Sequence, residues 1–396
     1  MDDDKLLFIY AEAPPLCENV VTHGLNRAAS PMLRAIRDAI DVIALFPYNR
    51  HFRVAMLDPA LAPLCTTPPR AISLLRAALR RLGRAGRAAE ALLAEAIAAP
   101  QAAGSDASQI FCLEGSDPEV LPRIARIAAR ARKPFSVYVV DDFLIPMRLE
   151  GEPDCALAAA TARARDCLQQ ARHVFAISDG LGALFEKNFG VQTVTLPLVF
   201  EPGPPYREPV KNQVIFVGSV NFLYATALRE LIAAVGELRI ETGTDLTIRF
   251  TSPSASSLGA LPHFVHVAPL DSAESLAREI AASLFAFLPY SFEPQVADMV
   301  RTSFPSKLME YLAYARSILV FAPEYASSSD YFRNHALPEL VHDDRALRQA
   351  IARHLRESPQ HSDAYRRQLS HIHSPDAARR TILSTLFGPG SWSKPL

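Results

Sequence analysis

The sequence is poor in cysteine. Its five, Cys17, Cys65, Cys112, Cys155 and Cys167, are odd in number and include no C-x-x-C pair. That excludes a disulfide scaffold and a zinc cluster, and leaves buried, reduced thiols in a cytosolic protein as the expectation. No apolar run reaches the ~18 residues a membrane span needs. The start, Met1-Asp2-Asp3-Asp4-Lys5, is acidic where a secretory leader is basic, so no leader is expected. Neither sign of charge is in excess: 41 basic against 42 acidic side chains give a net charge of −1. A chain so balanced has no overall field to draw it onto nucleic acid, and any basic function must sit in a local patch. The histidines are badly placed for a metal. His263, His266, His342, His354, His361, His371 and His373 show no ligand spacing, and His371-x-His373 reads as a surface pair.

What the chain does have is a two-domain length, 396 residues, and a steady alternation of short apolar runs with longer amphipathic ones. That is the rhythm of βαβ units and parallel sheets. Leu6–Ala11, Gln109–Leu113, Phe135–Val140 and Val174–Ile177 read as strands of one sheet, each uniformly apolar as when helices cover both faces. Helices are expected over Ser30–Ala39, Ala71–Ala98, Pro118–Arg132, Cys155–Arg172 and Asp179–Asn188, the last closed by Gly190 as its left-handed residue. The Pro-rich run Glu201–Pro209 can be neither helix nor central strand and reads as a linker. A second sheet follows, with strands at Val214–Gly218, Leu246–Phe250, Phe264–Val267, Leu284–Leu288, Ile318–Phe321 and Leu340–Val341. Arg345 to Phe387 reads as helical with a break near Ser374-Pro375. The expected division is a first domain over 1–201, a linker over 202–212, a second domain over 213–375, and a helix and tail over 376–396 that packs back on the first. Ligands of doubly wound sheets bind beyond the carboxyl ends of the strands, so the residues directly after strands carry the chemistry.

The segment with most chemistry is Ser303-Phe304-Pro305-Ser306-Lys307-Leu308-Met309-Glu310-Tyr311-Leu312-Ala313. Pro305 suits a first helical turn because it has no N–H to leave unpaired. Ser306 and Lys307 then lie at a helix start, where open amide groups and the helix dipole favour an anion and Lys307 adds a full charge. Glu310 is one turn deeper on the same face, where a carboxylate can accept hydrogen bonds from both hydroxyls of a ribose. The plain alternative is a helix with an N-terminal proline and a solvated Lys–Glu pair.

This segment resembles the donor-binding motif of glycosyltransferase family 4, S-x-P-x-K-x-x-E-Y-L-A, with Ser303, Pro305, Lys307, Glu310, Tyr311, Leu312 and Ala313 at the matching positions. The resemblance implies the GT-B architecture, two doubly wound Rossmann-like domains facing across a cleft. It also implies a nucleotide-sugar donor, with the Lys on the diphosphate and the Glu on the ribose, and retention of anomeric configuration. Val174–Ser178, Val214–Gly218 with Ser219 after it, and Leu284–Tyr290 resemble further parts of the family, the last ending in a loop beside the donor. Three departures stand out. Thr302 occupies the place of a second, sugar-contacting Glu. Ser219-Val220-Asn221-Phe222 replaces a stretch that often carries a basic pair, leaving Arg301 as the candidate for the missing charge. Ala315 and Ser317 stand where the family has Gly and Pro. A left-handed alanine costs about 1 kcal/mol, so the motif helix is expected to end differently.

In the first domain, Asp141-Asp142 follow a strand, where paired carboxylates could orient an acceptor hydroxyl or take its proton; the alternative is a helix cap. His23-Gly24 follows the first strand and could approach a donor closely. The only D-x-D, Asp2 to Asp4, lies in the acidic start. The metal-dependent GT-A enzymes use such a pair, so a site without metal or other cofactor is expected. Arg76, Arg80, Arg84 and Arg87 line one arc of the expected Ala71–Ala98 helix. They read as a solvated face or as a contact with anionic lipid.

The expected function is therefore sugar transfer from a nucleotide-sugar to an acceptor hydroxyl on a glycan, a lipid-linked saccharide or a small metabolite. The setting the resemblance implies is bacterial polysaccharide synthesis, in the cytoplasm or on the cytoplasmic membrane face. The alternatives are an inverting GT-B enzyme, a nucleotide-sugar epimerase, or an inactive relative that serves as a binding partner.

Overall fold

The computed structural model describes residues 5–10, 24–45, 65–66, 103–114 and 120–388. Two compact units divide the chain: 1–199 with 375–396, and 200–374.

The first unit holds a seven-stranded sheet in the order β3-β2-β1-β4-β5-β6-β7, all neighbours parallel. Its strands are β1 (Leu6–Tyr10), β2 (Ile40–Leu45), β3 (Cys65–Thr66), β4 (Gln109–Glu114), β5 (Phe135–Val139), β6 (Val174–Ala176) and β7 (Thr193–Thr195). Its described helices are α1 (Gly24–Ala35), α2 (Val120–Ala131), α3 (Leu144–Leu149), α4 (Asp154–Gln170), α5 (Asp179–Phe189) and, from the far end of the chain, α13 (Pro375–Phe387). Every residue of β4 and β5 is buried. Phe8, Phe111 and Phe175, on β1, β4 and β6, meet edge to face at 5.8 and 5.5 Å, so the aromatic core crosses the sheet. Helix α5 begins where Ser178 Oγ accepts from Leu181 N–H (3.2 Å) and ends at Gly190 with φ 69°. β2, β3 and β7 were not expected. The strand Ile40–Leu45 follows α1 after a single turn over Arg37–Ala39, too short a break to separate it from the helix by pattern. Cys112 and Cys167 are buried thiols, but Cys155 is exposed on α4.

The second unit holds a six-stranded sheet in the order β10-β9-β8-β11-β12-β13, again parallel throughout. The strands are β8 (Lys211–Phe216), β9 (Thr247–Phe250), β10 (Val265–Val267), β11 (Ser283–Pro289), β12 (Ile318–Phe321) and β13 (Leu340–Val341). Helices α6 (Ala225–Thr242), α7 (Ala273–Ala282), α8 (Ala297–Thr302), α9 (Lys307–Tyr314), α10 (Ser327–Asn334), α11 (Asp344–Glu357) and α12 (Ser362–His371) connect and cover them. The strand order reverses between β8 and β11, which makes their carboxyl ends the switch point of this sheet. β8 starts at Lys211, before its apolar run, because Lys211 binds Glu279 (2.8 Å) and Asn212 binds Asp245 (2.7 Å) from the exposed end of the strand. The carboxy-terminal helices break twice: near Pro375, and at Ser358 in the left-handed region at φ 43°.

Helix α9 does end without a left-handed residue: Ala315 is extended, at φ −71° and ψ 144°. Ser317 then turns its Oγ to His354 Nε2 (2.9 Å), while His354 Nδ1 donates to Ala350 O (2.8 Å). His354 is fully buried, so both ring nitrogens are satisfied in the neutral form. Its pKa is pushed down, first by burial, then by Arg353 and His361, with the Ala350 carbonyl and Glu339 opposing. The native state then holds fewer protons than the unfolded one. The contribution is complete above about pH 6.5 and shrinks as pH falls through that value. Urea unfolding at about pH 7.5 and about pH 5.5 should give a lower stability at the acid pH, and His354→Gln should flatten the difference. An unchanged slope in the variant would remove His354 as its source.

Candidate functional site

Strand β8 runs into Val217 and Gly218 at the switch point. Val217 N–H donates to Tyr311 Oη (2.8 Å), and that hydroxyl donates to Phe287 O of β11 (3.3 Å). A single buried phenol of α9 thus ties the motif helix to both central strands. The turn after β8 is fixed from the β9 side as well. Gly218 N–H donates to Thr251 Oγ1 (3.1 Å) and Val220 N–H to Ser254 Oγ (2.8 Å). Asn221 closes the turn, its Oδ1 accepting from Leu223 N–H (3.0 Å). Gly218 has φ +95°, and a Cβ there would lie 3.7 Å from Lys307 Cε. The position thus demands glycine for its backbone and brings that backbone close to the lysine.

Lys307 opens α9 and is only 6% exposed. Its Nζ lies 3.6 Å from the ring centroid of Tyr224 and 4.2 Å from that of Phe216. The turn before it is helical already: Leu308 N–H donates to Pro305 O (2.9 Å), Met309 N–H to Ser306 O (3.2 Å), and Ser306 is at φ −56°. Pro305 therefore stands just before the N-cap Ser306, one residue outside the first turn expected for it, and its carbonyl accepts from that turn. Glu310 is half-buried one turn along, close enough that its charge helps to raise the pKa of Tyr314, after burial as the main cause.

The remaining expected donor residues take other parts. Tyr290 is fully buried, and its hydroxyl donates to Ser303 O (2.8 Å). Ser327 Oγ donates to the same carbonyl. The two hydroxyls hold the chain entering Pro305, so Tyr290 supports the loop instead of offering its side chain to a ligand. Thr302 Oγ1 donates back to Asp298 O (3.0 Å) within α8. Arg301 pairs with Asp298 (3.3 Å) and covers the Tyr325 ring (4.7 Å) from an exposed position. Ser219 and Asn221 are exposed on the β8–α6 turn, and Phe222 beside them is 49% exposed.

His373 is not at the surface as expected. It is buried, with Nε2 2.9 Å from Tyr331 Oη and its ring tilted against Phe304. Phe200 N–H, donating to His373 O (2.9 Å), holds that turn inward. His371, the last residue of α12, is exposed, whereas His373 two residues on is buried.

Asp141 and Asp142 belong to the first unit. Asp142 is buried; its Oδ1 accepts from Leu144 N–H (2.9 Å) at the start of α3, and Arg148 lies 3.9 Å from its Oδ2. That bond is an Asx turn leading into α3, whose cap is Phe143; Asp141 beside it is half-buried. His23 and the Arg76–Arg87 stretch lie outside the described residues. Among the described residues, no group of three or more His, Cys, Asp or Glu side chains is arranged to hold a metal ion, and no helix is long and apolar enough to cross a membrane.

No family model and no curated protein sequence matches this chain. Solved structures do. The sucrose-phosphate synthase of Thermosynechococcus elongatus is similar at TM-score 0.61 and 15% identity, over 96% of this chain and 97% of that one. The Anabaena protein HepE, in complex with UDP-glucose, is similar at TM-score 0.62 and 13% identity, over 96% of this chain and 99% of its own. The chain has the GT-B fold. A third GT-B structure, the UDP-forming α,α-trehalose-phosphate synthase of Burkholderia xenovorans, is similar at TM-score 0.56 and 11% identity, over 96% of this chain and 99% of that one. At these identities the likeness speaks for the fold alone.

Proposed function

We propose that this chain transfers a sugar from a UDP-sugar to an acceptor hydroxyl, with retention of anomeric configuration, and that the nucleoside diphosphate sits at the start of α9. The observation that carries the reading is the position of Lys307, buried at the first residue of that helix and beside the Gly218 backbone at the switch point. The dipole of α9 and the Lys307 ammonium supply positive charge where the leaving diphosphate gains negative charge. Glu310 accepts from the ribose hydroxyls. The departing diphosphate takes the acceptor proton, which asks for no strong base on the protein. Asp141 in the first unit is the candidate for orienting the acceptor. Uridine is the favoured base because two of the similar proteins are named with UDP-glucose or as UDP-forming.

Calorimetric titration of UDP, GDP, ADP and dTDP into the wild-type protein and Glu310→Ala tests this. UDP is expected to bind, and the variant to bind it roughly 10- to 100-fold more weakly, the loss of hydrogen bonds to a charged group. Failure of all four nucleotides to bind would end the donor-site reading. Given a bound donor, anomeric NMR of the product tests retention, and an inverted product would correct that part alone.

A further inference from the structure

The Lys307 side chain does not extend into open solvent. Its ammonium rests on the faces of Tyr224 and Phe216, whose rings are 5.7 Å apart and inclined at 61°. Tyr224 is in turn backed by Tyr290, at 5.7 Å. Phe216 ends β8, and Tyr224 immediately precedes α6, so both rings come from the strand–turn–helix that surrounds the switch point.

We propose that Tyr224 and Phe216 are positioning residues that seat the Lys307 ammonium for contact with a diphosphate. Lysine is a compact charge on a flexible stem and loses much rotamer freedom when it is fixed. A ring face attracts a cation through its quadrupole and carries no net charge. The rings themselves therefore hold the ammonium without contributing a countercharge. A carboxylate in the same place would fix it and neutralise it. The proposal rests on the donor-site reading for the identity of the anion, but the seat itself can be observed without any nucleotide.

The test has two arms. In spectra of protein carrying isotope-labelled lysine, the ring currents of Tyr224 and Phe216 should shift the Lys307 side-chain signals upfield of those of Lys5, Lys133, Lys187, Lys211 and Lys394. Tyr224→Phe should keep the shift and Tyr224→Leu should reduce it to what Phe216 alone supplies. In titrations, Tyr224→Leu should weaken UDP about tenfold, leave UMP unchanged, and have no further effect in a Lys307→Met background, while Tyr224→Phe restores UDP binding. Equal losses for UDP and UMP, or losses that simply add in the double variant, would show a merely structural ring and overturn the proposal. An ordinary Lys307 shift in the wild type would overturn it too, even if Tyr224→Leu does not fold. A shifted Lys307 in a protein that binds no nucleotide would uphold the seat and sink the donor site.

Discussion

Lys307→Met is expected to lower kcat for transfer from a UDP-sugar by about a hundred- to a thousandfold, with the fold intact. The expected size follows from the environment. Lys307 is buried at the start of α9 and lies against aromatic faces. A charge there is poorly screened and needs no reorganisation when the leaving group gains negative charge. Removing one preorganised donor from such a place costs about 2.7–4 kcal/mol of transition-state stabilisation. Methionine keeps the length of the stem and makes favourable contacts with aromatic rings, so thermal unfolding should stay close to wild type. Arginine is not expected to rescue, because a planar guanidinium cannot take the place of a compact ammonium beside Gly218 and two rings. Steady-state kinetics and a melting curve decide the matter together. Activity within about threefold of wild type would remove Lys307 from the diphosphate site. A parallel fall in melting temperature would assign the loss to folding.

Lys307, Pro305 and Glu310 were legible in the sequence because everything that places them is local. A proline marks the helix start, and spacing puts the next two groups on one face. The strands of the second sheet were legible because burial on both faces makes them uniformly apolar, as in Ser283–Pro289. What surrounds Lys307 was not legible. Tyr224 and Phe216 meet it only because β8, α6 and α9 converge, and no spacing rule links residues so far apart in the chain. The same limit misplaced Tyr290 and Asp142. Each stands within three residues of a strand's end, where ligand contacts are expected, yet each hydrogen-bonds the backbone of its own unit, at Ser303 O and Leu144 N–H. Position after a strand brings a side chain to the right end of the sheet; it does not decide whether the side chain turns outward or back onto the next loop. His373 is the converse case, a residue with a surface pattern drawn inside by a partner, Tyr331, on another helix.

The second large effect concerns stability. Arg379→Ala is expected to destabilise the first unit by about 2 kcal/mol and to release α13. This helix, from the very end of the chain, buries Ala378, Ile382, Leu383 and Leu386, and Gln109 at the start of β4 donates to Leu386 O (3.1 Å). Arg379 lies among these apolar groups, 7% exposed in its side chain. Its guanidinium donates to Ala35 O (3.0 Å) and to both carboxylate oxygens of Asp38 (2.5 and 2.7 Å). The forked pair fixes α13 against the turn between α1 and β2. Asp38 is 57% exposed, so water screens part of the pair and hydrates the carboxylate left behind, which keeps the cost below that of breaking a fully buried pair. The hydrogen bond from Arg379 is the main cause that holds the Asp38 carboxyl below its usual range. A depressed carboxylate contributes stability that is complete above its unfolded pKa of about 3.9 and is lost as pH falls through the lower folded value. At neutral pH the pair is therefore fully engaged, and Asp38→Asn should remove the part of the acid transition that lies below about pH 4. Limited proteolysis should cut Arg379→Ala near Ser374 while wild type resists, and urea unfolding should give the size of the loss. If the variant matches wild type in both, α13 is held by its apolar face alone.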